Sequence, residues 1–180
     1  PPYTPVALGA LAGHHRGKDF KATRLPPSYD WAKEQGAVMV ETGLWLRPQY
    51  FPRGNETDWL ETVTREVKTA RSSAGFCDVS TLGKLLVEGP EAVQLLERLY
   101  PNRFGDMQPG RIRYGVLTSD AGRIMDDGVV ARLGDQVFYF TTTTGNSATL
   151  YRELSRLNTL WGLDCGLVNL HVRQCLGHNS

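Results

Sequence analysis

Features that assign a chain to a special class are scarce in this sequence. Its 180 residues contain three cysteines and no Cys-x-x-Cys pair, which argues against a disulfide-stapled domain and predicts a reducing, cytoplasmic setting. Lys and Arg total 20 against 19 Asp and Glu, so the net charge of +1 provides no field that attracts nucleic acid or an anionic membrane. No apolar run approaches the roughly 18 residues that span a bilayer, and we therefore predict no membrane partner.

Nucleotide-binding and metal-binding patterns are absent as well. Neither GxxxxGK[ST] nor GxGxxG occurs, so no NAD-binding region is expected in this chain. The cysteines and histidines near the end have the spacing C-x5-H-x3-C-x2-H, which matches no usual zinc-ligand pair: Cys165, His171, Cys175 and His178. We predict no metal site. Cys77 is interpreted as a small buried residue.

The first part of the chain has a composition of its own. It begins without methionine, and residues 1–54 hold seven of the ten prolines together with several large aromatic rings. Proline removes a backbone donor and restrains its neighbour to extended geometry, whereas large rings normally bury against something. We interpret residues 1–54 as a proline- and aromatic-rich arm or interdomain connector that packs on a surface and belongs to something longer.

Regular patterning starts at residue 55. Asn55–Asp58 can cap a helix that ends near Gly75, and its apolar residues recur every three to four positions, predicting a buried stripe: Leu60, Val63, Val67 and Ala70. A strand over 82–87 and a helix after Gly89-Pro90 follow, the latter with a buried stripe of Val93, Leu95, Leu96 and Leu99.

An antiparallel meander is predicted between residues 110 and 144. Runs with period two are separated by turns at 119–122 and 134–135, and a helix capped by Asn146 or Ser147 follows. The predicted fold class is therefore α+β, an antiparallel β-meander with packed helices.

Two adjacent carboxylates, Asp126 and Asp127, lie inside the second predicted strand, where Asp is uncommon. Consecutive strand residues face opposite sides, so one carboxylate can serve a site while the other serves structure or solvent. A turn centred on residues 120–121 would place Tyr114 directly opposite Asp127, and a bulged turn would make that contact diagonal. The alternative is a solvated Asp127, or one paired with Arg113 or Arg132.

Four segments in order resemble the start of a glycine-cleavage T-protein-type aminomethyltransferase domain: Arg71–Ser80, Val87–Ala92, Gly110–Gly115 and Gly122–Val130. Within that superfamily, further segments resemble the α subunits of heterotetrameric sarcosine oxidases: Pro2–Gly13, Asp30–Trp31, Gly36–Ala37, Trp45–Pro48 and Thr141–Gly145. The likeness covers residues 1–169, and residues 55–169 correspond to the N-terminal part of the folate-binding domain.

The resemblance implies a function and a site. Enzymes of that family oxidatively demethylate sarcosine at a flavin and pass the one-carbon unit to tetrahydrofolate. The resemblance implies that Asp127 is catalytic and faces the folate. The other folate-binding residues that it implies on this chain are Tyr114, Val129 and Thr141. The expected cofactor is tetrahydrofolate, whereas FMN and NAD belong to parts of the parent enzyme that this chain does not encode. The expected partners are other sarcosine oxidase subunits or further copies of the chain.

Departures from the family leave alternatives open. Family folate sites are completed by later regions that are absent here, so catalysis by this chain alone is not expected. Residues 170–180 differ from the family pattern, and we interpret them as an atypical tail read out of frame. The chain is therefore either a truncated α-subunit fragment, a non-catalytic assembly module, or a stand-alone folate-dependent aminomethyltransferase formed by self-association.

Overall fold

The computed structural model describes residue 22 and residues 24–170. Four helices and seven strands occur in this part of the chain, in the order α1 (Tyr29–Glu34), β1 (Val38–Thr42), β2 (Trp45–Tyr50), α2 (Trp59–Ser72), β3 (Gly83–Glu88), α3 (Ala92–Leu99), β4 (Ile112–Thr118), β5 (Ile124–Gly134), β6 (Val137–Thr142), α4 (Ser147–Trp161) and β7 (Gly166–Asn169). The α+β fold class predicted from the sequence is confirmed.

A five-stranded antiparallel sheet organises the chain. Its strand order is β4-β5-β6-β3-β7, so the predicted meander β4-β5-β6 is present and β3 lies between β6 and β7. The remaining two strands, β1 and β2, form a separate antiparallel hairpin. The three meander strands are the ones that carry the predicted site residues.

One face of the large sheet is covered by α3 and α4 and forms the core. Val130, Phe140 and Leu85 lie side by side across three strands and are at most 1% exposed. The buried stripe predicted for α3 is largely confirmed, because Leu95, Leu96 and Leu99 pack into the same core, which α4 completes with Leu150 and Leu154. Burying these side chains removes apolar area from water, which is the main force that holds the layers together.

Helix α2 corrects one prediction about burial. Its N-terminal cap is as expected, since the Asp58 side chain accepts a hydrogen bond from the Glu61 amide at 2.9 Å, but the helix ends at Ser72. Most of the predicted apolar stripe faces outward, with Leu60 57% exposed and Val67 46% exposed, whereas Val63 is half-buried. The helix is instead attached by polar contacts, because its one buried residue is Thr62.

These polar contacts join α2 to the end of the β1–β2 hairpin. Arg65 donates to Glu56 at 2.6 Å and to the Phe51 carbonyl at 2.7 Å, while the Phe51 amide donates to Glu66 at 2.8 Å. Thr62 donates to the other oxygen of Glu56 at 2.9 Å. Periodicity alone could not predict this attachment, since it identifies apolar faces and not the hydrogen bonds that decide which face docks.

The described portion of the expected arm contains regular structure. Residues 29–50 form α1 and the β1–β2 hairpin, in which Trp45 is 2% exposed and Arg24 lies over its ring at 5.9 Å from the centroid. Trp31, by contrast, is 54% exposed. Residues 1–21 and 23 of the expected arm, and residues 171–180 of the expected tail, lie outside the described residues. Cys77 is exposed, and the prediction that it is buried is wrong.

Candidate functional site

The second face of the large sheet brings all four predicted site residues together. We call it the open face and define it by Tyr114 on β4, Asp127 and Val129 on β5, and Thr141 on β6. Side chains alternate along a strand, so Val130 and Phe140 point into the core while Val129 and Thr141 point away from it. Tyr114 is the cross-strand partner of Val129 and therefore shares its face.

The hairpin register differs from the predicted one by two residues. Tyr114 pairs with Val129 and Val116 pairs with Asp127, with an irregularity after Leu117. The turn lies further along the chain than expected, since the Ser119 amide donates to the Arg123 carbonyl at 2.8 Å and Gly122 has φ of 72°. A shift of two keeps every side chain on its predicted face.

Tyr114 and Asp127 are in contact in spite of this shift. The Tyr114 hydroxyl donates to Asp127 Oδ2 along the diagonal of the hairpin. This hydrogen bond raises the pKa of Tyr114, and desolvation and the negative charges of Asp127 and Asp126 add to the effect. The phenol is 58% exposed and Asp127 is half-buried, so the pair is accessible to a ligand.

Neither arginine considered as a partner of Asp127 binds it. Arg113 donates to Asp106 at 2.8 Å and to the Arg103 carbonyl, whereas Arg132 donates to the carbonyls of Met107 and Asp135 at 2.6 and 2.7 Å. Among the described residues, Asp127 Oδ1 accepts no hydrogen bond. One oxygen of the carboxylate is thus held by Tyr114 and the other is available as an acceptor.

Asp126 has a different environment from its neighbour. It is 5% exposed and points toward the start of α4, where it accepts hydrogen bonds from the Thr143 amide at 3.1 Å, the Thr143 hydroxyl at 3.2 Å and Asn146 Nδ2 at 3.0 Å. It also accepts from the Asp127 amide at 2.7 Å. The two adjacent carboxylates therefore have separate hydrogen-bond partners, Asp126 at the start of α4 and Asp127 on β4.

Close contact between β5 and β6 places Val129 and Thr141. The Val129 amide donates to Thr141 Oγ1 at 2.9 Å, so a hydroxyl stands where a ladder carbonyl would normally accept. A Cβ atom on Gly128 would lie 2.1 Å from the Thr141 carbonyl oxygen, and only glycine fits there. Gly128 was not among the predicted site residues, although a glycine inside a strand is a known sign of close backbone approach.

Lys84 is a second residue that sequence reasoning did not identify. It is the cross-strand partner of Thr141, which places it on the open face, and it is 8% exposed. Its ammonium donates to the carbonyls of Ser80 and Leu82 at 2.7 and 2.9 Å. A lysine within a run of strand residues was the available signal, because lysine is depleted from strands and rarely buried.

Across residues 24–170, no group of three or more His, Cys, Asp and Glu side chains is arranged to hold a metal ion. The helices of that range include none with the length and apolar character that a bilayer crossing requires.

Comparison with known proteins identifies the family to which this chain belongs. Residues 28–176 match the family model of the GCVT N-terminal domain, and the chain therefore belongs to that family. The match begins within the expected arm and extends into the expected tail. The fold is also similar to the crystal structure of glycine cleavage system aminomethyltransferase T from Bartonella henselae, with a TM-score of 0.71 and 26% identity over 82% of this chain and 38% of that one.

Particular relatives are closer in sequence. The chain is 47% identical over 86% of its length to the sarcosine oxidase subunit alpha of Rhizobium meliloti strain 1021, and 40% identical over 89% to that of Corynebacterium sp. strain P-1. It spans 16% of the length of each of these two relatives. The resemblance inferred from the sequence motifs is thereby confirmed.

Proposed function

We propose that this chain is part of a sarcosine oxidase α-type protein and that its open face binds tetrahydrofolate. One observation carries the proposal: Tyr114, Asp127, Val129 and Thr141, from three different strands, lie on one face with Tyr114 hydrogen-bonded to Asp127. The relatives named above as sarcosine oxidase α subunits support the larger assignment. In the complete enzyme we place this region where the one-carbon unit of sarcosine is transferred to the folate.

The side chains of the open face suit a reduced folate chemically. Its pterin presents N–H donors beside a flat ring, and the free Oδ1 of Asp127 is an acceptor for such donors. Thr141 Oγ1 already accepts from the Val129 amide, so its hydroxyl proton is available to a ligand acceptor. Val129 supplies apolar surface for the ring.

Asp127 is the proposed catalytic residue. A carboxylate beside the folate amines orients them and accepts a proton as the carbon is captured, which is a general-base role. Tyr114 holds the carboxylate on one side and so fixes the direction of the free oxygen. We expect FMN and NAD to belong to other parts of the parent enzyme, and the proposal needs neither of them for folate binding.

Titration of the purified chain with tetrahydrofolate or folinic acid tests this proposal. Binding is followed by tryptophan fluorescence or calorimetry, and Asp127→Ala should weaken it at least about tenfold, because a charged hydrogen bond to the ligand is lost. Asp120→Ala, in the exposed turn between β4 and β5, is the matched control and should bind like the original chain. No binding at millimolar ligand would contradict the proposal.

Exposed apolar side chains support a second proposed role, assembly with other sarcosine oxidase subunits or with further copies of the chain. Ile112 is 71% exposed, Ile124 72% and Leu133 59%, all on or beside the β4–β5 hairpin. Ile112 and Leu133 lie near one end of the hairpin and Ile124 near the other, and burying them between chains would remove apolar area from water. Light scattering should show oligomers that Ile112→Ser and Ile124→Ser together reduce, and a monodisperse monomer for the original chain would contradict self-association. A transferase formed by several copies additionally requires that activity appear only in the oligomer.

A further inference from the structure

Asp126 is a buried carboxylate without a cationic partner among the described residues. All four of its hydrogen-bond donors are neutral: two backbone amides, the Thr143 hydroxyl and the Asn146 amide group. Burying an ionised carboxylate is costly unless its oxygens are well satisfied, and this set of donors supplies that satisfaction. The arrangement connects two parts of the chain, the first half of β5 and the loop that begins α4.

The backbone ladder explains why such a connection is needed. β5 pairs with β6 from Val130 to Gly134, so the preceding residues of β5 are attached on that side by side chains. The Val129 amide is held by Thr141 Oγ1 at 2.9 Å and the Asp127 amide by Asp126 Oδ1 at 2.7 Å. On the β6 side the Asp127 amide is therefore held by the anchored Asp126 carboxylate, while β4 pairs with the same residues on the other side.

We propose that Asp126, anchored by Thr143 and Asn146, is a positioning residue that fixes the backbone at Asp127 and thereby aims the Asp127 carboxylate at Tyr114 and at the ligand. This inference rests on the proposed function for its ligand, while its structural part concerns the chain alone. The Asp126 side chain lies on the other face of β5 from Asp127, so the proposed role requires no contact between Asp126 and the ligand.

Three designed variants test this role, and the first of them separates it from a simple effect of the Asp126 charge. Thr143→Val with Asn146→Ala removes two of the four donors, the Thr143 hydroxyl and the Asn146 amide group. It keeps both backbone amides and the charge of Asp126. In Asp126→Asn the new side-chain amide group faces the amide group of Asn146, so two donors meet. Adding Asn146→Asp supplies an acceptor at position 146, which restores a donor and an acceptor with their positions exchanged.

The first readout is the titration of the Tyr114 phenol, followed by NMR of ring-labelled tyrosine and assigned with Tyr114→Phe. In the original chain the hydrogen bond to Asp127 raises the pKa of Tyr114. We expect it to fall toward the ordinary value in Thr143→Val/Asn146→Ala, which keeps the charge of Asp126 and so tests positioning alone. It should also fall in Asp126→Asn, where loss of the Asp126 charge contributes, and return in Asp126→Asn/Asn146→Asp. The second readout is folinic acid binding, weakened about tenfold in the first two variants and recovered to within about threefold in the exchanged pair.

Asn158→Ala is the matched control, because it also removes a side-chain hydrogen bond at α4. It removes a hydrogen bond of 2.8 Å to the Cys165 carbonyl near the other end of that helix and should leave the Tyr114 titration unchanged. An original chain that binds no folinic acid would overturn the proposed function and leave the Tyr114 readout to test the positioning role. A folded Thr143→Val/Asn146→Ala variant with the original Tyr114 titration would overturn the positioning role. If Asp126→Asn fails to fold, a folded exchanged pair without the original titration would overturn it equally.

Discussion

The Tyr114 hydroxyl donates to the Asp127 carboxylate although the residue opposite Tyr114 is Val129. Diagonal neighbours on one face of an antiparallel pair are within reach of long side chains, and a tyrosine has that reach. The contact links two strands of the open face at the residue to which we assign proton transfer. It also makes Tyr114 a reporter of the position of Asp127.

Replacing Asp127 with Asn should lower the pKa of Tyr114. The hydrogen bond to Asp127 is the largest cause of the raised value and the charge of Asp127 adds to it, so both effects are removed or weakened by the amide. The measurement is the phenol titration by NMR. Tyr139, whose pKa is raised by burial, should titrate as before and provides the internal control. An unchanged Tyr114 pKa would mean that the contact with Asp127 does not form in solution.

Stability should decrease above about pH 10, and Tyr100 should cause part of the decrease. Burial raises the pKa of Tyr100, which is 5% exposed, above its value in the unfolded chain. Between the unfolded-state and folded-state pKa values, Tyr100 loses its proton in the unfolded chain and keeps it in the folded chain. Its contribution to the free energy of unfolding is therefore fully present below about pH 10 and decreases as the pH rises. Urea unfolding at pH 8 and pH 11 should show that the free energy of unfolding of Tyr100→Phe increases relative to that of the original chain at the higher pH. Equal losses in both proteins would contradict this.

Gly128→Ala should destabilise the chain by about 3 kcal/mol and disturb the open face, because the new methyl group would lie 2.1 Å from the Thr141 carbonyl oxygen. Gly134→Ala in the same strand is the control. Its Cβ would meet Val137 side-chain atoms at 3.8 Å, an ordinary contact, and the cost should stay within about 1 kcal/mol. Denaturant unfolding measures both free energies, and equal costs would show that β5 and β6 are not in close approach at Gly128.

Glu56→Gln should destabilise the chain at neutral pH and have little effect near pH 2. The pKa of Glu56 is lowered from 4.5 to about 2, and the hydrogen bond from Arg65 is the largest of several causes. A folded-state pKa below the unfolded one gives stability that is present above pH 4.5 and lost as the pH falls toward 2. Thermal unfolding from pH 7 to pH 2 should show that the difference in melting temperature between Glu56→Gln and the original chain decreases as the pH falls from 4.5 to 2.

Glu153→Gln is the control for this acid-dependent effect. Glu153 pairs with Arg156 on the surface of α4, at 2.7 Å and three residues apart, and exposed pairs of this kind contribute little. Its melting-temperature difference should therefore be much smaller at every pH. A Glu56 difference that does not change with pH would indicate that packing, and not the ion pair with Arg65, attaches α2 to the hairpin.

Periodicity predicted much of the fold because local patterns carry it. Alternation identified β4, β5 and β6 and assigned Asp126 and Asp127 to opposite faces, since side chains alternate along a strand whatever the register is. The buried stripe of α3 was predictable for the same reason. The stripe of α2 was not, because an apolar face indicates where a helix could pack, whereas Arg65 and Glu66 bind the hairpin at Phe51.

The sequence by itself determined the class of this protein and the faces of its strands: ordered motifs place it in the GCVT N-terminal domain family, and parity places Tyr114 and Asp127 on one face. Only the tertiary structure decided how these residues meet. The turn geometry set a register in which Tyr114 contacts Asp127 diagonally. The lack of a Cβ on Gly128 allows β5 to approach β6, and Thr143 and Asn146 anchor Asp126. Those contacts join residues distant in the chain, so their geometry depends on packing and not on local pattern.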